Sequence, residues 1–146
     1  MSVHLSPKRH QFLTFTFLSL LTFFASLSAV YSVYAEDSAS FPKQAFDKAK
    51  FDQLQSEGKP VLIDVYASWC PTCERQQWLL SSYFAERPDS NLTVMVVDYD
   101  DDKEWVKFFK APRQSTLALY QGNERVWFSV AETRKRKIFS ALDAVQ

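Results

Sequence analysis

The chain has 146 residues, with Lys plus Arg and Asp plus Glu balanced at 17 each. That length suggests one domain plus something extra, and that balance gives no reason to expect nucleic acid as a partner. Its two histidines, His4 and His10, fall near the start, which excludes a Cys–His nucleophile pair or a His-containing zinc site in the rest of one chain.

The extra part is the start. Lys8 and Arg9 form a basic region, Phe12 to Ala35 carries no charge, and Val33-Tyr34-Ala35 offers a small-x-small cleavage site before Glu36. Residues 1–35 are expected to be an export signal, removed after transport or kept as a membrane anchor through residues 12–35. Residues 36–146 are expected to be one domain lying outside the cytoplasm, where a disulfide can persist.

Within that domain, Phe41 to Glu57 reads as a helix with Phe46, Ala49 and Leu54 on its apolar side, ended by Gly58. Lys59-Pro60 leads to a buried strand, Val61 to Ala67. A second helix starts at Pro71, a residue tolerated at the first helical position, and fails by Arg87-Pro88-Asp89. The spacing of Cys73, Gln77, Leu80 and Phe84 puts them on one face of it, with Cys73 toward the core and Cys70 at an exposed tip. Leu92 to Tyr99 reads as a strand. Asp100-Asp101-Asp102 can cap a helix to Lys110, with Trp105, Phe108 and Phe109 inside. Gly122-Asn123 between Thr116–Gln121 and Arg125–Val130 signals a hairpin, and a last helix spans about Glu132 to Val145. The order αβαβαββα predicts an α/β fold, a sheet with helices on both faces.

Trp69-Cys70-Pro71-Thr72-Cys73 carries the chemistry and holds the chain's only cysteines. A strand that ends in Cys-x-x-Cys and continues as a helix puts the first sulfur at a helix N-terminus, where unpaired N–H groups and the dipole favour a thiolate. Cys70 is the candidate nucleophile and Cys73 the resolving thiol, one turn later. The pair also permits an inert disulfide or half of a soft-metal or iron–sulfur site, perhaps shared between two chains. Asp64, the charged residue of a strand buried on both faces, should have a raised pKa and can take the Cys73 proton. Trp69 is expected to pack beside the cysteines, and Tyr66 beneath them. The acidic run Asp98 to Asp102 lacks the pattern of an EF-hand loop and reads as helix capping and solvated surface.

The segment Val61-Leu62-Ile63-Asp64-Val65-Tyr66-Ala67-Ser68-Trp69-Cys70-Pro71-Thr72-Cys73, with Ser115-Thr116-Leu117-Ala118-Leu119-Tyr120 before Gly122, resembles the thioredoxin superfamily over residues 41–146, and most of all its exported bacterial members. The resemblance implies a thioredoxin-like fold with a central mixed sheet and a thiol–disulfide oxidoreductase that needs no cofactor. Its implied partners are protein thiols and disulfides, with a membrane thiol donor of electrons as one source. By the same resemblance Trp69, Ser115 and Thr116 would meet the substrate, the last two through backbone groups offered to an extended segment.

Three positions depart from the family pattern. Ser115 stands where most members have a cis-proline, the nearest proline being Pro112. Val96 replaces a buried lysine that would partner Asp64, which should raise that acid further. Ala131 replaces a groove glycine. These leave substrate choice open, while Pro71-Thr72, unlike the dipeptides of the best-known reductants and oxidants, leaves redox direction open; Ser115→Pro is expected to change substrate preference or mixed-disulfide lifetime.

Overall fold

The computed structural model describes residues 41–146, so the predicted export segment lies outside the described residues. The element order is β1 (Lys43–Ala45), α1 (Lys48–Ser56), β2 (Val61–Tyr66), α2 (Pro71–Glu86), β3 (Thr93–Asp98), α3 (Lys103–Phe108), β4 (Thr116–Gln121), β5 (Glu124–Val130) and α4 (Lys135–Asp143). The five strands form one sheet in the order β1-β3-β2-β4-β5. β1, β3 and β2 run parallel, while β4 and β5 are antiparallel to their neighbours. This is the mixed α/β sheet expected from the sequence.

Alternation along the strands decides what each face meets. Leu62, Val94, Leu117 and Leu119 pack with Leu79, Leu80 and Tyr83 of α2 and Ile138, Phe139 and Leu142 of α4. Val61, Ile63, Val65, Met95, Val97 and Ala118 pack on the opposite face with Phe51, Leu54, Val106 and Phe109. Asp64 has the same parity as Leu62, so it points to the α2 face. Cutting one of these fully buried leucines to alanine costs about 2–5 kcal/mol.

Three boundaries differ from the sequence reading. Residues 43–45 are strand rather than helix, because β1 gains a parallel partner in β3 and Phe46 N–H donates to the Val96 carbonyl at 2.8 Å. Helix α1 instead starts after Asp47, whose carboxylate accepts from Lys50 N–H at 2.8 Å as an N-cap. Gly58 does end it, with φ +69, and Lys59 N–H returns to the Leu54 carbonyl at 2.9 Å. Helix α3 is shorter than expected. It turns out of the helix at Phe109 and Lys110, the latter at φ +54, so Phe109 is buried while Phe108 stays 50 % exposed. Helix α4 starts three residues late, because the Glu132 carboxylate accepts from Thr133 and Arg134 N–H at 3.0 and 2.9 Å and holds that stretch as a cap. The hairpin forms as the Gly122-Asn123 signal requires, both residues having positive φ, +60 and +67.

Candidate functional site

Cys70 is the N-cap residue of α2, in extended conformation, and its Sγ accepts the Cys73 N–H at 3.3 Å. Pro71 takes the first helical position, where no N–H is needed. The two thiols are free and neither is at an exposed tip: Cys70 is 5 % exposed and Cys73 fully buried. Ala67 packs with them, covered by Tyr66 and Tyr99. Burial pushes the Cys70 thiol up, but hydrogen bonds from the Cys73 thiol, the Ser115 hydroxyl and the Cys73 and Thr72 N–H groups outweigh it, and the net direction is down. Burial and the neighbouring Cys70 push Cys73 up. The two sulfurs are thereby driven apart, the first toward thiolate and the second toward thiol.

Ser115 is the residue that bridges them. Its Oγ lies 3.1 Å from Cys70 Sγ and 3.1 Å from Cys73 Sγ. One hydroxyl carries one proton, so it serves one thiolate at a time; either atom of each contact can be the donor, and the hydroxyl lowers both thiols. The residue is fully buried and held at φ +61, a left-handed conformation that costs a serine about 1–3 kcal/mol. Three bonds hold it there. Its N–H donates to the Val65 carbonyl at 2.8 Å, and its carbonyl accepts from Ala131 N–H at 2.8 Å and from Gln76 Nε2 at 3.2 Å. Ala131 is left-handed too, at φ +55.

The backbone of Ser115 therefore has no free group for a substrate segment, contrary to the sequence expectation. Thr116 is fully buried, sits in β4 between Val65 and Val130, and donates its hydroxyl to the Arg113 carbonyl at 2.6 Å. Neither residue presents itself to a partner. Trp69 is 59 % exposed, and its indole N–H donates to Asp100 at 2.6 Å instead of shielding the sulfurs. The acidic run otherwise folds back on its own backbone, Asp98 accepting from the N–H groups of Asp100 and Asp101.

Asp64 lies in the middle of the sheet, between Val96 and Leu117, and is fully buried. Its Oδ2 accepts from the Gln77 amide, one turn along α2 from Cys73, while Oδ1 has no partner. Burial pushes its pKa up to about 7, against the opposing pull of Gln77 and of Lys43. Sequence reasoning put Gln77 on the Cys73 face but missed its partner, and it missed Gln76, Tyr99 and Lys43 altogether. Two adjacent amides beside Leu79-Leu80 were the signal for the glutamines. For Lys43 there was none, since it arrives across the sheet. Among the described residues no three Cys, His, Asp or Glu side chains converge to hold a metal ion.

The family model for Thioredoxin matches residues 42–144. The crystal structure of Trxlp from Edwardsiella tarda is 38 % identical with a TM-score of 0.64, covering 68 % of this chain and 97 % of that one. The thiol:disulfide interchange protein DsbE of Yersinia pestis is 31 % identical over 91 residues, 60 % of this chain and 43 % of that protein. The bifunctional thioredoxin reductase/thioredoxin of Mycobacterium leprae is 32 % identical over 80 residues, 55 % of this chain and 17 % of that protein. The chain thus spans less than half the length of these two curated relatives. A single match over the sheet, the Cys-x-x-Cys turn and the closing hairpin places the chain in the thioredoxin family.

Proposed function

We propose that this chain is an exported thiol–disulfide oxidoreductase with one redox-active dithiol, Cys70 and Cys73. The observation that carries it is the split between two sulfurs sharing one hydroxyl, Cys70 driven down and Cys73 driven up. The Cys70 thiolate attacks a substrate disulfide. A Cys70–substrate bond forms, the substrate S–S bond breaks, and one substrate sulfur leaves as a thiolate. Cys73 then loses its proton to Asp64 and attacks Cys70 Sγ, which closes the Cys70–Cys73 disulfide and frees the second substrate sulfur. Two electrons pass from the dithiol to the substrate, and the reverse sequence oxidises a substrate dithiol.

The substrates are protein thiols and disulfides, with Trp69 as the exposed surface beside the nucleophile. Export is supported by residues 1–35, and a membrane thiol donor fits an exported reductant. Among the described residues no helix is long and apolar enough to cross a membrane. Two thiolates alone fall short of a closed soft-metal site, so the metal-binding reading would need ligands from a second chain.

Insulin reduction by the purified domain, with its reduction potential, tests the reading. Turnover that disappears in Cys70→Ser supports it. Turnover retained in that variant sinks it.

A further inference from the structure

We propose that Lys43 and Gln77 are positioning residues that hold Asp64 ready to accept the Cys73 proton, taking the place of a cation on the neighbouring strand. This rests on the dithiol exchange described above, and the residues concerned lie outside the Cys-x-x-Cys turn. Asp64 has Val96 and Leu117 as its cross-strand neighbours, so the adjoining strands give it no charge in register. The charge comes from one strand further. Lys43 on β1 is level with Val94, on the α2 face of the sheet, and its ammonium donates to Gln77 Oε1 at 2.5 Å. The other end of the same amide donates to Asp64 Oδ2.

An amide between an ammonium and a carboxylate has one good orientation. The ammonium only donates and the ionised carboxylate only accepts, so Oε1 must face Lys43 and Nε2 must face Asp64. The flipped amide would set N–H against the ammonium and C=O against the carboxylate, unfavourable at both ends. The charge of Lys43 therefore selects the flip. The flip in turn decides whether Asp64 meets a donor, which favours its ionised form, or an acceptor, which favours its acid form. Oδ1 stays without a partner and is the atom left open to a proton.

The ammonium of Lys43 lies over aromatic rings, its Nζ 5.1 Å from the Phe41 centroid and 5.9 Å from that of Tyr66. Tyr66 also covers the dithiol, so the lysine is anchored beside the redox centre while remaining solvent-exposed. Lys43 from β1 is the titratable group that acts on Asp64, and Cys73 and Glu74 from α2 and Cys70 at the turn share with Asp64 the neighbouring Tyr66 of β2. Tyr66 is pushed up by its own burial and by Cys73, Asp64, Glu74 and Cys70. Lys43 is the cation among these groups, and its pull on Asp64 adds to that of the Gln77 hydrogen bond it orients.

The test uses Lys43→Met, Lys43→Arg and Gln77→Met in the full chain. Two readouts are taken: the pH profile of release from a Cys70 mixed disulfide, and a carboxyl-carbon NMR titration of Asp64, which needs no turnover. In Lys43→Met both midpoints should rise by about half to one pH unit, slowing release about threefold or more below the midpoint and not on the high-pH plateau. Lys43→Arg should restore the profile, and Gln77→Met should shift it at least as far as Lys43→Met. Unmoved midpoints in Lys43→Met, with exchange intact, overturn the positioning role and leave the oxidoreductase reading standing. Absent exchange in the wild-type chain overturns that reading, while the NMR titration still decides whether Lys43 acts on Asp64.

Discussion

The Ser115 hydroxyl lies 3.1 Å from the sulfur of Cys70, in a pocket where both residues are closed off from solvent. The family pattern implies a proline ring near these sulfurs in most members. Here a hydroxyl sits there instead, hydrogen-bonded to the nucleophile, and it reaches that point because residue 115 adopts a left-handed backbone.

Ser115→Ala deletes the donor and leaves the backbone as it is. The Cys70 thiol should become less acidic, and attack at mildly acidic pH should slow by about tenfold, the worth of a hydrogen bond to a charged group. The deficit should vanish once the pH is high enough to ionise the thiol without help. Ultraviolet thiolate absorbance and single-turnover attack rates measure both effects. An unchanged absorbance titration would rule out the hydroxyl as a source of Cys70 acidity.

Ser115→Pro should disrupt the loop rather than retune its substrate preference, which corrects the expectation from sequence. Proline needs φ near −65°, against +61 here, and it removes the N–H that donates to the Val65 carbonyl. The loss should be about 3 kcal/mol or more. Ala131→Gly should act in the opposite sense, gaining about 1 kcal/mol because glycine carries no penalty at φ +55. Urea unfolding of the two variants checks both signs.

Asp64→Asn should slow release from the mixed disulfide more than the initial attack, most clearly near neutral pH. It should also stabilise the fold. The carboxyl titrates at 3.8 when solvated and about 7 when buried here. Between those values the unfolded chain has lost the proton and the folded chain has kept it. Wild-type stability therefore falls as pH rises through that window, by roughly 4 kcal/mol, and is level above it. Asn removes this slope, with a net gain on the order of 1–3 kcal/mol at alkaline pH, since a buried amide keeps some desolvation cost. Denaturant titrations across the pH range would show whether the slope is lost.

Cys73→Ser should accumulate a mixed disulfide on Cys70, because the attacking thiolate is retained and the resolving one is gone. Mass spectrometry of the trapped adduct identifies the sulfur. Trapping through Cys73 in the reciprocal Cys70→Ser variant, at a comparable rate, would reverse the two roles.

Much of this site is local chemistry and was legible in the residues themselves. Cys-x-x-Cys after an apolar strand, with proline at the first helical position, already dictates a sulfur at a helix N-terminus, and Asp64 inside an apolar run already implies a raised acid. Gly58 and Gly122-Asn123 punctuate the chain where their positive φ is used. Tertiary structure decided the rest. The strand at 43–45 exists because β3 offers it an edge, which overrides the helical pattern of its own neighbourhood. The Ser115 hydroxyl meets the sulfurs through a left-handed turn held by bonds to Val65, Gln76 and Ala131, residues distant in sequence. Lys43 reaches Asp64 across two strand spacings through an amide on a third element. Spacing along one helix or strand reports what lies next to itself, whereas strand order and parity determine which faces meet, and it was there that the partners of Cys70 and Asp64 were chosen.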